Sequence, residues 1–340
     1  MMAGGEIIMP SKKKKRRNIV ILSVILALVV TSGCTNHKDV YTEKQGNNGI
    51  GRTHENSGLT SSKNINYVQW YLDESEGYTE HTNELAWGMD QEEAKADIDI
   101  SYNEGMKGFS GKRNVNIAVI DSKEEHGKCI INILDDGNED NSYISLCEKK
   151  CFTTSLIDID YKNLDEEKII SAIDEAERGN TSICVMAFAG TIESESLKKR
   201  IRESDMLFVV AAGNDGVELG MFKVYPAMYA LDNVLVVGDE RCDGKISELS
   251  NYSRKYVDII APGTDIACVD EKGKHYESGS SYACAIAAGV CAIVKAGSDK
   301  EFNNVELKQF ICDLSKADND TKDVVRYGRI NCIGDYLQTN

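Results

Sequence analysis

Beyond residue 110 the chain carries short, mostly apolar runs of strand length at 115–120, 155–159, 183–188, 207–211, 234–237 and 257–260. Predominant rather than alternating hydrophobicity marks strands covered on both faces, as in a parallel sheet. Helical patterns fall between the runs. Residues 165–178 place Ile169, Ile170, Ile173 and Ala176 on one side and stop at Gly179, a common helix terminator. Residues 197–201 and 305–314 read similarly, and 278–297 form a long stretch of small and apolar residues that a soluble fold has to bury. Strand and helix in alternation predict an α/β domain of three layers, α/β/α, with a mostly parallel central sheet. Ligands of such folds gather at the carboxyl ends of the strands.

The first third reads differently. A basic cluster at 12–17 (KKKKRR) precedes an apolar run at 18–33 that ends at Cys34. This pattern predicts an export signal over 1–33. The run is shorter than the ~20 residues that span a bilayer, which leaves an uncleaved anchor as the other reading. Thr31-Ser32-Gly33 before Cys34 resembles a bacterial lipobox, with Thr31 in place of the usual aliphatic residue. That resemblance implies lipidation of Cys34 and a protein held at the outer face of a bacterial cytoplasmic membrane. Residues 34–64 are polar and rich in Gly, Asn, Ser and Thr, as in a tether. An extension over 65–110 is expected to pack on a catalytic domain at 111–338.

Forty-one per cent hydrophobic residues and only three prolines among 340 suit a packed core. The formal net charge is −16, and since residues 1–33 hold six basic groups and one acid, the remainder carries −21. Such an excess argues against nucleic acid as a partner and allows basic substrates. Ten cysteines accompany Cys34, an even number that permits disulfides in an exported protein. Cys184, Cys284 and Cys291 lie in apolar runs and read as buried thiols. No CxxC occurs, so no structural zinc is expected, and neither is any other metal or cofactor.

Four stretches carry candidate chemistry. In AVIDSKEEHG, Asp121 closes the first apolar run and His126 opens a helix after the four residues SKEE. By itself the aspartate is an ordinary turn or cap. FVVAAGNDG brings Asn214, a side-chain amide donor, to the end of another strand, where it suits a developing oxyanion. SGSSYACAIAAGVCAIVKAG places Ser281 at the start of the buried helix. There its hydroxyl and its N–H meet a helix dipole that favours negative charge. Gly279-x-Ser281-x-Ala283 is not the GxSxG elbow of α/β-hydrolases, which counts against a lipase or esterase.

In the order Asp, His, Asn, Ser these stretches resemble the subtilisin-like serine peptidases, the subtilase family, from about residue 97 to about 315. The resemblance implies a subtilisin-like fold and a serine endopeptidase acting through an acyl-enzyme. It assigns Asp121, His126 and Ser281 as the triad and Asn214 as the oxyanion donor. It also implies that Ala187, Phe188 and Ala189 pair with an extended peptide, and that Asp215 and Val224 border the pocket for the residue before the cut. Basic residues would be favoured there. Lys123 stands where the family has glycine, the Asp-to-His segment is cut to SKEE, and the proline after the serine block is lost. No inhibitory pro-domain is recognisable in the tether. The alternative reading is an inactive, subtilase-like surface protein that binds peptides without turnover.

Overall fold

The computed structural model describes residues 109–135, 146, 151–270 and 273–330. The expected signal, the tether with Cys34, nearly all of the 65–110 extension, and Cys147 and Cys332 lie outside the described residues.

In chain order the strands are β1 (Val115–Asp121), β2 (Phe152–Asp158), β3 (Ile183–Met186), β4 (Leu207–Ala211), β5 (Val234–Glu240), β6 (Ile259–Pro262), β7 (Ile266–Asp270), β8 (Gly273–Glu277) and β9 (Gly328–Arg329). The helices are α1 (Glu125–Leu134), α2 (Glu166–Arg178), α3 (Glu195–Arg202), α4 (Ser280–Gly297) and α5 (Asn304–Leu314). Seven strands form one sheet in the order β2-β1-β3-β4-β5-β6-β9, and each neighbouring pair is parallel. β7 and β8 form a separate antiparallel hairpin.

Successive side chains of a strand point to opposite faces, and here both faces are buried. On β1, Ile117 and Val119 join Cys129, Ile130, Ile133 and Leu134 of α1 and the apolar body of α4. Ala118 and Ile120 join Ile169 and Ile173 of α2 and Leu197 and Ile201 of α3 on the other side. The expected three layers follow. Helix starts are capped by side chains: Asp165 accepts from Lys168 N, Ser194 from Leu197 N, and Asn303 with Glu306 forms a capping box.

α4 is long and apolar enough to cross a membrane, yet it is buried inside the domain. Its small residues let it lie close across the sheet, where it meets β1, β3, β4, β5 and β6. Cys184 and Cys284 are fully buried thiols whose pKa is raised by desolvation, and Cys291 is likewise buried in α4.

Three elements depart from the pattern. β3 ends at Met186, so residues 187–189 leave the ladder instead of continuing it. The β7–β8 hairpin, whose first strand holds the apolar run at 266–269, and the two-residue β9 lie outside the strands expected from sequence. In β9 the buried Arg329 guanidinium donates from Nε to Glu240 Oε1 (2.6 Å), and from Nη1 to Asp318 Oδ2 (2.7 Å).

Asp239, near the end of β5, is fully buried, and its carboxyl lies 3.1 Å from Thr264 Oγ1. Desolvation is the main reason its pKa is pushed up to about 8. The unfolded side chain loses its proton near pH 4, so between these values the native state holds more protons than the unfolded one. This group's contribution to stability is therefore greatest at low pH and falls as pH rises toward 8. Asp239→Asn is uncharged throughout. The difference in melting temperature, variant minus wild type, is expected to grow steadily from pH 5 to pH 8, and a pH-independent difference would contradict the assignment.

Candidate active site

Asp121 is the last residue of β1 and has no solvent exposure. Its two carboxylate oxygens are both engaged: Oδ1 accepts from Ser122 N (2.7 Å), and Oδ2 lies 2.9 Å from His126 Nδ1. His126 is the second residue of α1, with its side chain 18% exposed. The four-residue connector is therefore long enough to bring strand end and helix start into hydrogen-bond contact.

Two local features make so short a connector workable. At Gly127, a Cβ would fall 2.0 Å from Ser122 O and 3.2 Å from Asp121 Cβ, so only glycine lets α1 pack this tightly on the turn. Lys123 donates from its backbone N to Asp158 Oδ1 (3.0 Å) while Nζ lies 2.9 Å from Oδ2. Asp158 is the β2 residue paired with Asp121 in the ladder. The hydrogen bond between the two side chains leads in raising the Lys123 pKa and in lowering that of Asp158.

Asn214 and Ser281 arrive from two other elements at the same sheet edge. Asn214 follows β4, and its Oδ1 accepts from Ser280 N and Ser280 Oγ, both at 2.8 Å. Gly279, with φ 152°, makes the turn into α4, and a Cβ there would sit 2.9 Å from Asn214 Nδ2. The amide is thereby oriented with its oxygen on the helix start and its nitrogen beside Gly279. Ser281 lies in the first turn of α4, where backbone N–H groups have no intrahelical acceptor. Its hydroxyl donates to the carbonyl of Ala187 (2.9 Å). In this arrangement Ser281 Oγ is directed at Ala187 rather than at His126.

One cleft of about 1020 Å³ contains His126, Asn214 and Ser281, with Ala187, Phe188, Ala189 and Asp215 in its wall. Asp121 stands behind His126. Val224 is buried and packs against Gly213, one layer behind the cleft surface. Cys34, the remaining site residue expected from sequence, lies outside the described residues.

Several supporting groups were not anticipated from sequence. Ser280 fixes the Asn214 amide. Asn251 is fully buried, accepts from Asp215 N and Val217 N (both 3.1 Å), and donates to Ala212 O (3.0 Å), so it shapes the loop that carries Asn214. Cys129, His275 and Glu277 complete the cleft on the far flank of His126. A serine at a helix start and an asparagine in a loop carry no distinguishing signal until their partners are known.

Burial works against a charged His126. The Asp121 charge and hydrogen bond, with a further contribution from Glu277, outweigh it and hold the imidazole above its ordinary value of 6.5. A general base has to be neutral to take a proton. The acid limb of kcat/KM is therefore expected above pH 6.5, and Glu277→Gln, which removes a charge that favours imidazolium, is expected to move the limb to lower pH. A limb at or below the ordinary value, unmoved by the substitution, would contradict this electrostatic picture.

Comparison with known proteins bears on the same residues. The family model described as the Subtilase family matches residues 152–328, more than half of the chain. That segment contains Asn214 and Ser281, while Asp121 and His126 lie upstream of it. A thermophilic serine proteinase of Bacillus sp. (strain AK1) is 34% identical over 124 residues, covering 36% of this chain and 29% of that protein. The major intracellular serine protease of Bacillus subtilis (strain 168) is 31% identical over 142 residues, covering 40% of this chain and 44% of its own. The chain thus matches less than half the length of either curated relative. Among solved structures, a mutant of the protease domain of PatA superposes with a TM-score of 0.58 at 19% identity, covering 69% of this chain and 97% of that one. The epidermin leader peptide processing serine protease of Staphylococcus aureus gives 0.60 at 16% identity, with 70% and 77% covered. At these identities the structural likeness speaks for the fold.

Proposed function

The chain belongs to the subtilase family, and we propose that it is a serine endopeptidase that hydrolyses peptide bonds through an acyl-enzyme. The observation that carries the reading is the 2.9 Å contact between a fully buried Asp121 carboxylate and His126 Nδ1, in the same cleft as Ser281 and Asn214.

In this reading an extended peptide lies along Ala187, Phe188 and Ala189, which have left the β3 ladder and so offer backbone groups for strand addition. Ser281 Oγ gives up its bond to Ala187 O and attacks the scissile carbonyl. His126 Nε2 accepts the hydroxyl proton and later delivers it to the leaving amine, while Asp121 holds the tautomer with Nδ1–H and stabilises the imidazolium. The developing oxyanion is met by Asn214 Nδ2 and by the Ser281 N–H at the positive end of α4. Water then cleaves the acyl-enzyme by the same route in reverse. Asp215, exposed at the cleft rim, favours a basic residue before the cut, with Val224 behind the floor of that pocket.

We further propose that the protein is exported and held at the outer face of a bacterial cytoplasmic membrane, through lipidated Cys34 or through the apolar segment at 18–33. Its acidic character suits peptide or protein substrates rather than nucleic acid.

A fluorophosphonate probe tests the nucleophile directly. Wild type is expected to be labelled and to cleave peptides, and Ser281→Ala to do neither. Asn214→Ala is expected to retain labelling at a reduced rate and to lose roughly 100- to 1,000-fold in kcat, the magnitude known for an oxyanion donor in subtilisin itself. Absence of both labelling and cleavage in wild type would favour the peptide-binding alternative.

A further inference from the structure

The proposed mechanism uses one flank of His126 and leaves the other without a task. His126 must hand its proton to the leaving amine, so the leaving segment departs over the imidazole, away from residues 187–189. The cleft wall it meets there is built from the N-terminal turn of α1 and the end of β8. Cys129, one turn after His126, has Sγ 3.9 Å from His275 Nε2. The same Nε2 is 3.3 Å from Glu277 Oε1, with Glu277 29% exposed and His275 28%. β8 ends at Glu277, four residues before Ser281, so this carboxylate is fixed relative to the nucleophile by the short turn through Gly279.

The charge on this flank is acidic. Glu124 and Glu125 are exposed on the connector and helix start, and both line the cleft with Glu277. The basic groups nearby are Lys128 and Lys123, the latter paired with Asp158. Among the three carboxylates Glu277 is the one set back from solvent, where a charge is screened least. Its charge also reaches the reaction centre, since it contributes to the elevation of the His126 pKa.

We propose that Glu277, seated against His275, is a specificity-determining residue that selects a lysine or arginine immediately after the scissile bond. The inference rests on the endopeptidase reading above. A guanidinium or ammonium there gains a charge-assisted hydrogen bond in a half-buried site, whereas a carboxylate meets three like charges.

The test uses the detergent-solubilised full chain at pH 8. A randomised peptide library identifies one readily cut sequence, and two internally quenched peptides of that sequence are then made with Arg or Glu as the first leaving-group residue. Wild type is expected to favour Arg by about tenfold or more in kcat/KM. Glu277→Gln is expected to cut that ratio at least threefold, and Glu277→Lys to invert it. Each ratio is internal to one variant, so a loss of overall activity does not obscure it. A wild-type ratio near one, or the same ratio in all three proteins, overturns the inference while leaving the endopeptidase reading intact. Absence of both fluorophosphonate labelling and cleavage in wild type overturns the inference and the endopeptidase reading together.

Discussion

A carboxylate withdrawn wholly from water is tolerated only when its oxygens find donors, and Asp121 finds them in its own neighbourhood. One is the next backbone N–H, and the other is an imidazole five residues on. This requirement governs the local architecture. With only Ser122, Lys123 and Glu124 between strand and helix, α1 has to dock directly over the end of β1, and it does so by burying Cys129, Ile130, Ile133 and Leu134 against the sheet and α4. Gly127 removes the one side chain that would push helix and turn apart, and Lys123 ties the turn to the neighbouring strand through Asp158. The turn is thus tied to the sheet edge by the Lys123 backbone N–H on Asp158 and by a solvent-exposed ion pair between the same two residues.

Much of this was legible in the order of residues. Predominantly apolar runs identified β1, β3, β4, β5 and β6, because a strand buried on both faces shows no regular polar alternation. The i, i+3, i+4 spacing of Ile169, Ile170, Ile173 and Ala176 identified α2. The association of Asp121, His126, Asn214 and Ser281 came from the resemblance of their order and flanking motifs to the subtilases, the sheet-edge rule alone leaving Asp121 an ordinary turn, and the four do meet at one edge of the sheet. What stayed hidden depends on partners distant in sequence. β9 pairs its backbone with Ile259 and Ile260 of β6, far earlier in the chain, and its Arg329 reaches Glu240. Ser280 and Asn251 act through backbone groups of other segments, and a short polar side chain carries no mark of that task. Residues 183–188 read as one strand, but the last two serve the cleft instead of the ladder.

The site divides at His126 into two chemically different halves. On the acyl side, backbone groups of residues 187–189, the Asn214 amide and the first turn of α4 provide dipoles suited to an extended chain and a transient oxyanion, with the Asp215 carboxylate at the rim. On the leaving-group side, carboxylates dominate. The family match covers Asn214 and Ser281 but begins after Asp121 and His126. The geometry of the amino-terminal pair, rather than similarity, therefore supports its proposed role.

Whether the compact Asp121–His126 arrangement works as the base of a serine peptidase is tested most directly by a crystal structure of the protein with a peptidyl boronate bound at Ser281. The expected result keeps the Asp121 to His126 contact near its present 2.9 Å. It also shows Ser281 Oγ turned from Ala187 O to within about 2.6–3.2 Å of His126 Nε2, with a boronate oxygen on Asn214 Nδ2. An adduct in which His126 has left Asp121, or in which Ser281 stays out of reach of the imidazole, would contradict it.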